Sequence, residues 1–258
     1  MKNDLFSIGP FTVHGYGLMI AIGVLSAYYM VEYRAKKKQM DWEKVFPLTV
    51  WSVLGGFLGS KILYLLTRLP DILANPALLG SSIKDGFVVY GGIIGGILTA
   101  WIYCKCTKWN FWKIFDIAMP AVAMAQGFGR IGCLLAGCCY GIELDPANPI
   151  GIVFHNSAYA PNDVALLPTQ IISSVLDFAN CFVLLALSKK LKTDGQVASC
   201  YLIFYSIGRF VIEFFRGDII RGSVGILSTS QFISIFTGIA GIVLLIRIRK
   251  KRDSKSSV

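Results

Sequence analysis

Long apolar runs separated by short charged stretches dominate the pattern along this chain. A helix needs about 20 mostly apolar residues to cross the hydrocarbon core of a bilayer. Windows of that kind fall at residues 13–33, 45–66, 86–104, 111–136, 168–188, 197–215 and 230–246. The pattern predicts an all-α polytopic membrane protein with about seven transmembrane helices. The fourth window is the irregular one, because Pro120 and the Gly127, Gly129 and Gly132 run are placed to break the helix or end it inside the bilayer. The expected organisation is one membrane-embedded domain over residues 1–246, with an extracytoplasmic segment near 137–167 and a basic cytoplasmic tail at 247–258. Residues 1–10 carry a single lysine and lead into no small-residue cleavage pattern, so no cleavable signal peptide is expected.

Composition supports this class. Of the 258 residues, 55% are hydrophobic and only 16% are charged, against about 25% charged in ordinary soluble domains. Too few charges remain to cover the apolar surface of a water-soluble domain, and so apolar a chain cannot be disordered. The net charge of +10 is explained by placement. Seventeen of the 25 basic residues lie on alternate sides of the windows, in the clusters 34–44, 105–113, 189–192 and 247–255. The other side holds Lys2, Arg68, Lys84 and Arg221. The positive-inside rule therefore puts the N-terminus outside and the C-terminus in the cytoplasm, and the basic excess calls for no nucleic-acid partner.

Glycines cluster within windows two and three, as Gly55-Gly56-Phe57-Leu58-Gly59 and Gly91-Gly92-Ile93-Ile94-Gly95-Gly96. Small residues at this spacing let helix backbones approach closely, so packing is their expected role.

Ionisable groups inside the windows are costly in lipid and point to partners or cavities. They are Lys61, Asp116, Arg130, Asp177, Arg209, Glu213 and Arg216. Asp116 and Asp177 suit helix ends or bonds between helices, and Lys61 can snorkel. Arg209, Glu213 and Arg216 are spaced i, i+4 and i+7, which places all three on one face of a single helix. One reading is an Arg–Glu pair that helps this helix insert. The second arginine leaves positive charge over, however, and that suits an anion. By the alternation of the windows, His14, Tyr16, Tyr90, Arg130, Gln170 and the 209–216 stretch all fall in the outer half of the membrane. A cavity open to that leaflet and lined by guanidiniums, whose planar forks match phosphate oxygens, would meet phospholipid headgroups. The same cavity also fits a transporter or carrier of an anionic solute or lipid without covalent chemistry.

Gly127-Phe128-Gly129-Arg130-Ile131-Gly132 spells G-x-G-x-x-G, but it follows no strand and lies in an apolar window, which excludes a dinucleotide site. Cys133, Cys138 and Cys139 cluster after Arg130 without the paired C-x-x-C spacing of a zinc site. Packing is their expected role, with a disulfide or a reactive thiol as alternatives, and no metal or cofactor is implied.

At these same residues the chain resembles the bacterial prolipoprotein diacylglyceryl transferases, over nearly its full length. The likeness is carried by His14-Gly15-Tyr16-Gly17-Leu18-Met19, Tyr90-Gly91-Gly92, Gln126-Gly127-Phe128-Gly129-Arg130-Ile131-Gly132, Pro168-Thr169-Gln170 and Gly208-Arg209-Phe210-Val211-Ile212-Glu213-Phe214-Phe215-Arg216. The resemblance implies transfer of the diacylglyceryl group of phosphatidylglycerol to the lipobox cysteine of a prolipoprotein signal peptide, at the outer leaflet of the bacterial plasma membrane. It implies catalytic parts for Arg130, Arg209, Tyr90 and Glu213, and substrate contacts for Arg130, His14, Tyr16, Gly132, Gln170 and Arg216. The chain departs from the family in three places. Tyr90 stands where His is common, so the resemblance names no general base. Cys133-Leu134-Leu135-Ala136-Gly137-Cys138 replaces an Asn-rich stretch, and Ile171-Ile172-Ser173 follows Gln170 where Leu-Tyr-Glu is usual.

Overall fold

The computed structural model describes residues 4–8, 11–84, 86–218 and 222–256; Lys2 and Arg221, counted above on the outer side, lie outside them. The elements run β1 (Asp4–Ile8), β2 (Phe11–His14), α1 (Gly15–Lys37), α2 (Val45–Thr67), α3 (Leu69–Ala74), α4 (Leu78–Lys84), α5 (Val89–Cys106), α6 (Phe111–Ala136), β3 (Ile152–Val153), β4 (Ala165–Leu166), α7 (Thr169–Lys190), α8 (Gln196–Glu213), β5 (Ser223–Val224), β6 (Leu227–Ser228) and α9 (Thr229–Ser256). The strands form three two-stranded antiparallel hairpins, so the protein is all-α in its bulk.

Six helices among the described residues are long and apolar enough to span a membrane: α1, α2 with its lead-in from Trp42, α5, α6, α7 and α9. The protein is a polytopic membrane protein. Helix α8, 18 residues long, matches the remaining window, but Gln196, Arg209 and Glu213 lower its hydropathy. Burial is inverted relative to a soluble domain. Phe46, Trp51, Phe57, Ile94, Phe182 and Phe236 face outward, whereas Asp116, Asp177, Gln170, Gln196 and Ser199 are buried. Apolar side chains facing lipid cost nothing, whereas polar ones there would lack partners.

The described chain divides into two compact units, Glu32–Ile114 and the combination of Met1–Val31 with Phe115–Val258. In the first, α2 and α5 pack through their glycines. A Cβ on Gly55 would strike Thr99, and Cβ atoms on Gly59, Gly91 and Gly95 would strike the facing carbonyls of Gly91, Gly59 and Gly55. The two small-residue motifs therefore meet each other. Lys61 is turned to carbonyls, donating from Nζ to Gly86 at 2.9 Å and Ser82 at 3.3 Å.

In the second unit, α6 runs unbroken for 26 residues. Neither the buried Pro120 nor the glycine run interrupts it, contrary to the expectation from the sequence. Membrane helices tolerate such residues where neighbouring helices cover the backbone. Gly127 lies against Phe178 of α7, and Ser174 of α7 donates to the Gly127 carbonyl at 2.9 Å. Met119, Ala123, Cys181, Leu184, Val197 and Tyr201 form the core of α6, α7 and α8. Asp116 caps α8: its carboxylate accepts from the backbone N–H groups of Gly195 and Ala198, each at 2.8 Å. A carboxylate at a helix N-terminus satisfies orphan donors and meets the positive end of the helix dipole. The segment after α6 folds over that helix end on a small core of Phe154, Ala160 and Leu166 against Leu134 and Tyr140.

Candidate active site

Arg130, near the C-terminal end of α6, and Arg209, near that of α8, line one small, open cleft. Ser173, Asp177 and Asn180 of α7 and Tyr205 and Gly208 of α8 complete its polar wall. Both groups follow helical spacing. Ser173, Asp177 and Asn180 sit at i, i+4 and i+7, so one face of α7 turns all three the same way. Gly208 supplies open space, since a Cβ there would meet nothing within 4 Å.

The two guanidiniums are held differently. Arg209 is fixed: Nη1 lies 2.8 Å from Glu213 Oε2, and Nη2 donates to Ser230 Oγ at 2.7 Å. Glu213 is itself held by Ser228, whose hydroxyl donates to Oε1 at 2.9 Å. Arg130 is looser, with Nε 3.9 Å from Asp177 Oδ2. That distance is an ion pair without a hydrogen bond, so N–H donors of Arg130 can turn to an anion. Asn180 Oδ1 is buried in the cleft wall and accepts no hydrogen bond from the described residues.

The other sequence-predicted residues take distinct places. Arg216 is corrected: α8 ends at Glu213, so Arg216 lies beyond the helix and not on its face. The chain there pairs in extended form with residues 140–142, through Ile142 N–H to Phe215 O at 3.0 Å and Gly217 N–H to Tyr140 O at 3.1 Å. Nor does Arg216 leave positive charge over, because Asp218 accepts from its Nε and Nη2 at 2.7 and 2.6 Å. His14 ends β2 just ahead of α1, exposed, with Nδ1 2.6 Å from Asp4 Oδ1. Tyr16 is in the first turn of α1, 42% exposed, and Gly132 lies beneath it, where a Cβ would come within 3.2 Å of the Tyr16 ring. Gln170 is buried and donates from Nε2 to the Cys138 carbonyl at 2.9 Å. Tyr90 is in the first turn of α5, in the 32–114 unit.

The cysteines after Arg130 are brought together. The sulfurs of Cys133, Cys138 and Cys139 all lie within 4.8 Å of one another. Hydrogen bonds from Cys133 and Cys138, then the facing Arg216 guanidinium, favour the Cys139 thiolate and pull its pKa down against burial.

Sequence reasoning missed Tyr205, Asn180, Ser228 and Ser230. The first two carried a signal, the helical spacing that puts them beside Arg209 and Asp177. The two serines follow a break in regular structure, where spacing says nothing about contact.

Residues 3–247 match the family model described as prolipoprotein diacylglyceryl transferase. A phosphatidylglycerol–prolipoprotein diacylglyceryl transferase of Clostridium tetani is 46% identical over 97% of this chain and 100% of its own length. One of Clostridium perfringens, numbered 2, is also 46% identical, over 100% of this chain and 99% of its own. A Staphylococcus carnosus enzyme of the same name is 31% identical over 95% and 90%. With nearly the whole chain matched by the family model and by relatives 46% identical, this chain belongs to the prolipoprotein diacylglyceryl transferase family.

Proposed function

We propose that this protein transfers the diacylglyceryl group of phosphatidylglycerol to the lipobox cysteine thiol of a prolipoprotein, at the outer leaflet of a bacterial plasma membrane. The observation that carries the reading is the shared cleft of Arg130 and Arg209, two cations supplied by separate helices. In the reaction the thiol sulfur bonds to the terminal glyceryl carbon of the diacylglyceryl group. The bond from that carbon to its phosphate oxygen breaks. Glycerol phosphate leaves with the electron pair, and the thiol proton passes to a base or to the departing phosphate.

Two tasks follow for the residues present. Charge grows on the phosphate as it leaves, and preorganised donors aimed at that charge lower the barrier. Arg130, loosely paired, grips the headgroup phosphate. Arg209 takes the growing charge and needs no reorganisation, because Glu213 and Ser230 already hold it at 2.8 and 2.7 Å. Glu213 acts through Arg209, as a positioning residue. Arg216 is already matched by Asp218, so its contribution is to the loop carrying Cys139. Tyr16, Gly132, Gln170 and His14 shape the approach to this region, and the part assigned to Tyr90 rests on the family resemblance alone. The N-terminus-out orientation rests on the distribution of basic residues.

Purified protein given phosphatidylglycerol and a lipobox peptide should raise the peptide mass by one diacylglyceryl group. The rival reading of a carrier is favoured if vesicles containing the protein take up an anionic solute and no covalent product forms.

A further inference from the structure

Cys133, Cys138 and Cys139 belong to no part of the transfer reaction derived above, yet the fold places their sulfurs within 4.8 Å of one another. The backbone explains how. Cys133 sits in the last turn of α6; Gly137, at φ +75°, reverses the chain, and Cys139 adopts φ +63° although it is not glycine. Left-handed backbone at a non-glycine residue is strained and persists only where its surroundings enforce it. Here they do. The Cys138 N–H donates to the Cys133 carbonyl at 3.1 Å, Gln170 holds the Cys138 carbonyl at 2.9 Å, and Thr169 Oγ1 holds the Cys139 carbonyl at 2.9 Å.

We infer that these three cysteines form a binding site for a single thiophilic d10 cation of the zinc class. With Zn–S bonds near 2.3 Å, a tetrahedral site sets its sulfurs about 3.8 Å apart, so rotamer adjustments of no more than about 1 Å close this trio on a metal. Three thiolates select soft cations over calcium or magnesium. They lose their protons to solvent as the metal binds. Zinc with three thiolates carries a net negative charge, and the Arg216 guanidinium, paired with Asp218, also faces Cys139 and moderates it. Among the described residues no histidine or carboxylate joins the group, which leaves a fourth position for water, the open arrangement that structural zinc sites lack. A disulfide would use two of the sulfurs and strand the third, whereas a metal uses all three. The inference is independent of the transferase reading, since it concerns binding alone.

The test uses the full-length protein, purified in detergent, reduced with a phosphine and freed of metal. Titration with Co2+ should develop thiolate-to-cobalt charge transfer and the ligand-field bands of tetrahedral cobalt, saturate at one ion per chain, and reverse on adding Zn2+. Cys133→Ser, Cys138→Ser and Cys139→Ser should each weaken binding roughly tenfold or more, while Cys104→Ser should leave it unchanged. A second measurement needs no variant: in whole-protein mass spectra, zinc should shield three of the seven cysteines from maleimide. The inference is overturned if no thiolate band appears, if the band survives Cys139→Ser, if all seven thiols react alike with and without zinc, or if the freshly purified protein already holds a disulfide within the trio.

Discussion

The two units of this protein bury opposite things. In Glu32–Ile114, α2 and α5 meet backbone to backbone, with Gly55 and Gly59 set against Gly91 and Gly95. In the unit that holds α6 to α9, the helices stand apart enough to enclose Arg130, Asp177, Arg209 and Glu213. Glycine serves both, in different ways. At Gly91 it removes a side chain so that two backbones touch; at Gly208 it removes one and leaves space. In a bilayer, apolar side chains gain little by leaving lipid, so close van der Waals contact holds helices together. Buried ionised groups are affordable only beside partners. One unit is a packed scaffold, and the other spends its interior on charge.

Substitutions can break this contrast. The largest expected effect is on catalysis: Arg130→Ala and Arg209→Ala should each lower turnover with phosphatidylglycerol by roughly 100- to 1,000-fold, as removing a transition-state donor does elsewhere. Peptide mass spectrometry reads this, with thermal unfolding in detergent followed alongside to separate lost catalysis from the stability lost when Asp177 or Glu213 is left buried without its cation. Next, Gly91→Val should destabilise the scaffold by about 3 kcal/mol through overpacking against Gly59 and Leu63, seen as earlier thermal unfolding. Asp116→Asn should lower stability by about 1–2 kcal/mol, because a neutral amide is a weaker cap for the Gly195 and Ala198 donors of α8. The smallest effect has the opposite sign. Gly208→Ala, with open space about it, should raise stability by roughly 0.5–1 kcal/mol by restricting the unfolded chain. A loss there as large as that of Gly91→Val would erase the distinction between the two kinds of glycine.

The same contrast shows what a sequence reveals. The scaffold was legible, because apolar windows and glycine spacing are local properties that one helix carries by itself. Arg130 and Arg209 were legible as charges out of place in lipid, and alternation of the windows put them at the same depth. Their fixing partners were harder to see. Ser228 and Ser230 reach Glu213 and Arg209 from beyond the end of α8, across residues whose path no period describes. Arg216 was misplaced because i+7 spacing means a shared face only while the helix lasts, and α8 stops at Glu213. Asp218, two residues on, then takes its charge. The cysteine trio failed a test of spacing because a reversal at Gly137, and not a C-x-x-C turn, brings its members together.

The central claim is that Arg130 and Arg209 act on one phosphate. A double-mutant cycle on turnover, with Arg130→Ala, Arg209→Ala and the pair measured against phosphatidylglycerol and a lipobox peptide, tests it most directly. Residues that share a partner are non-additive, so the double variant should lose little more than the worse single one. Full turnover in either single variant, or losses that multiply as for independent sites, would contradict it.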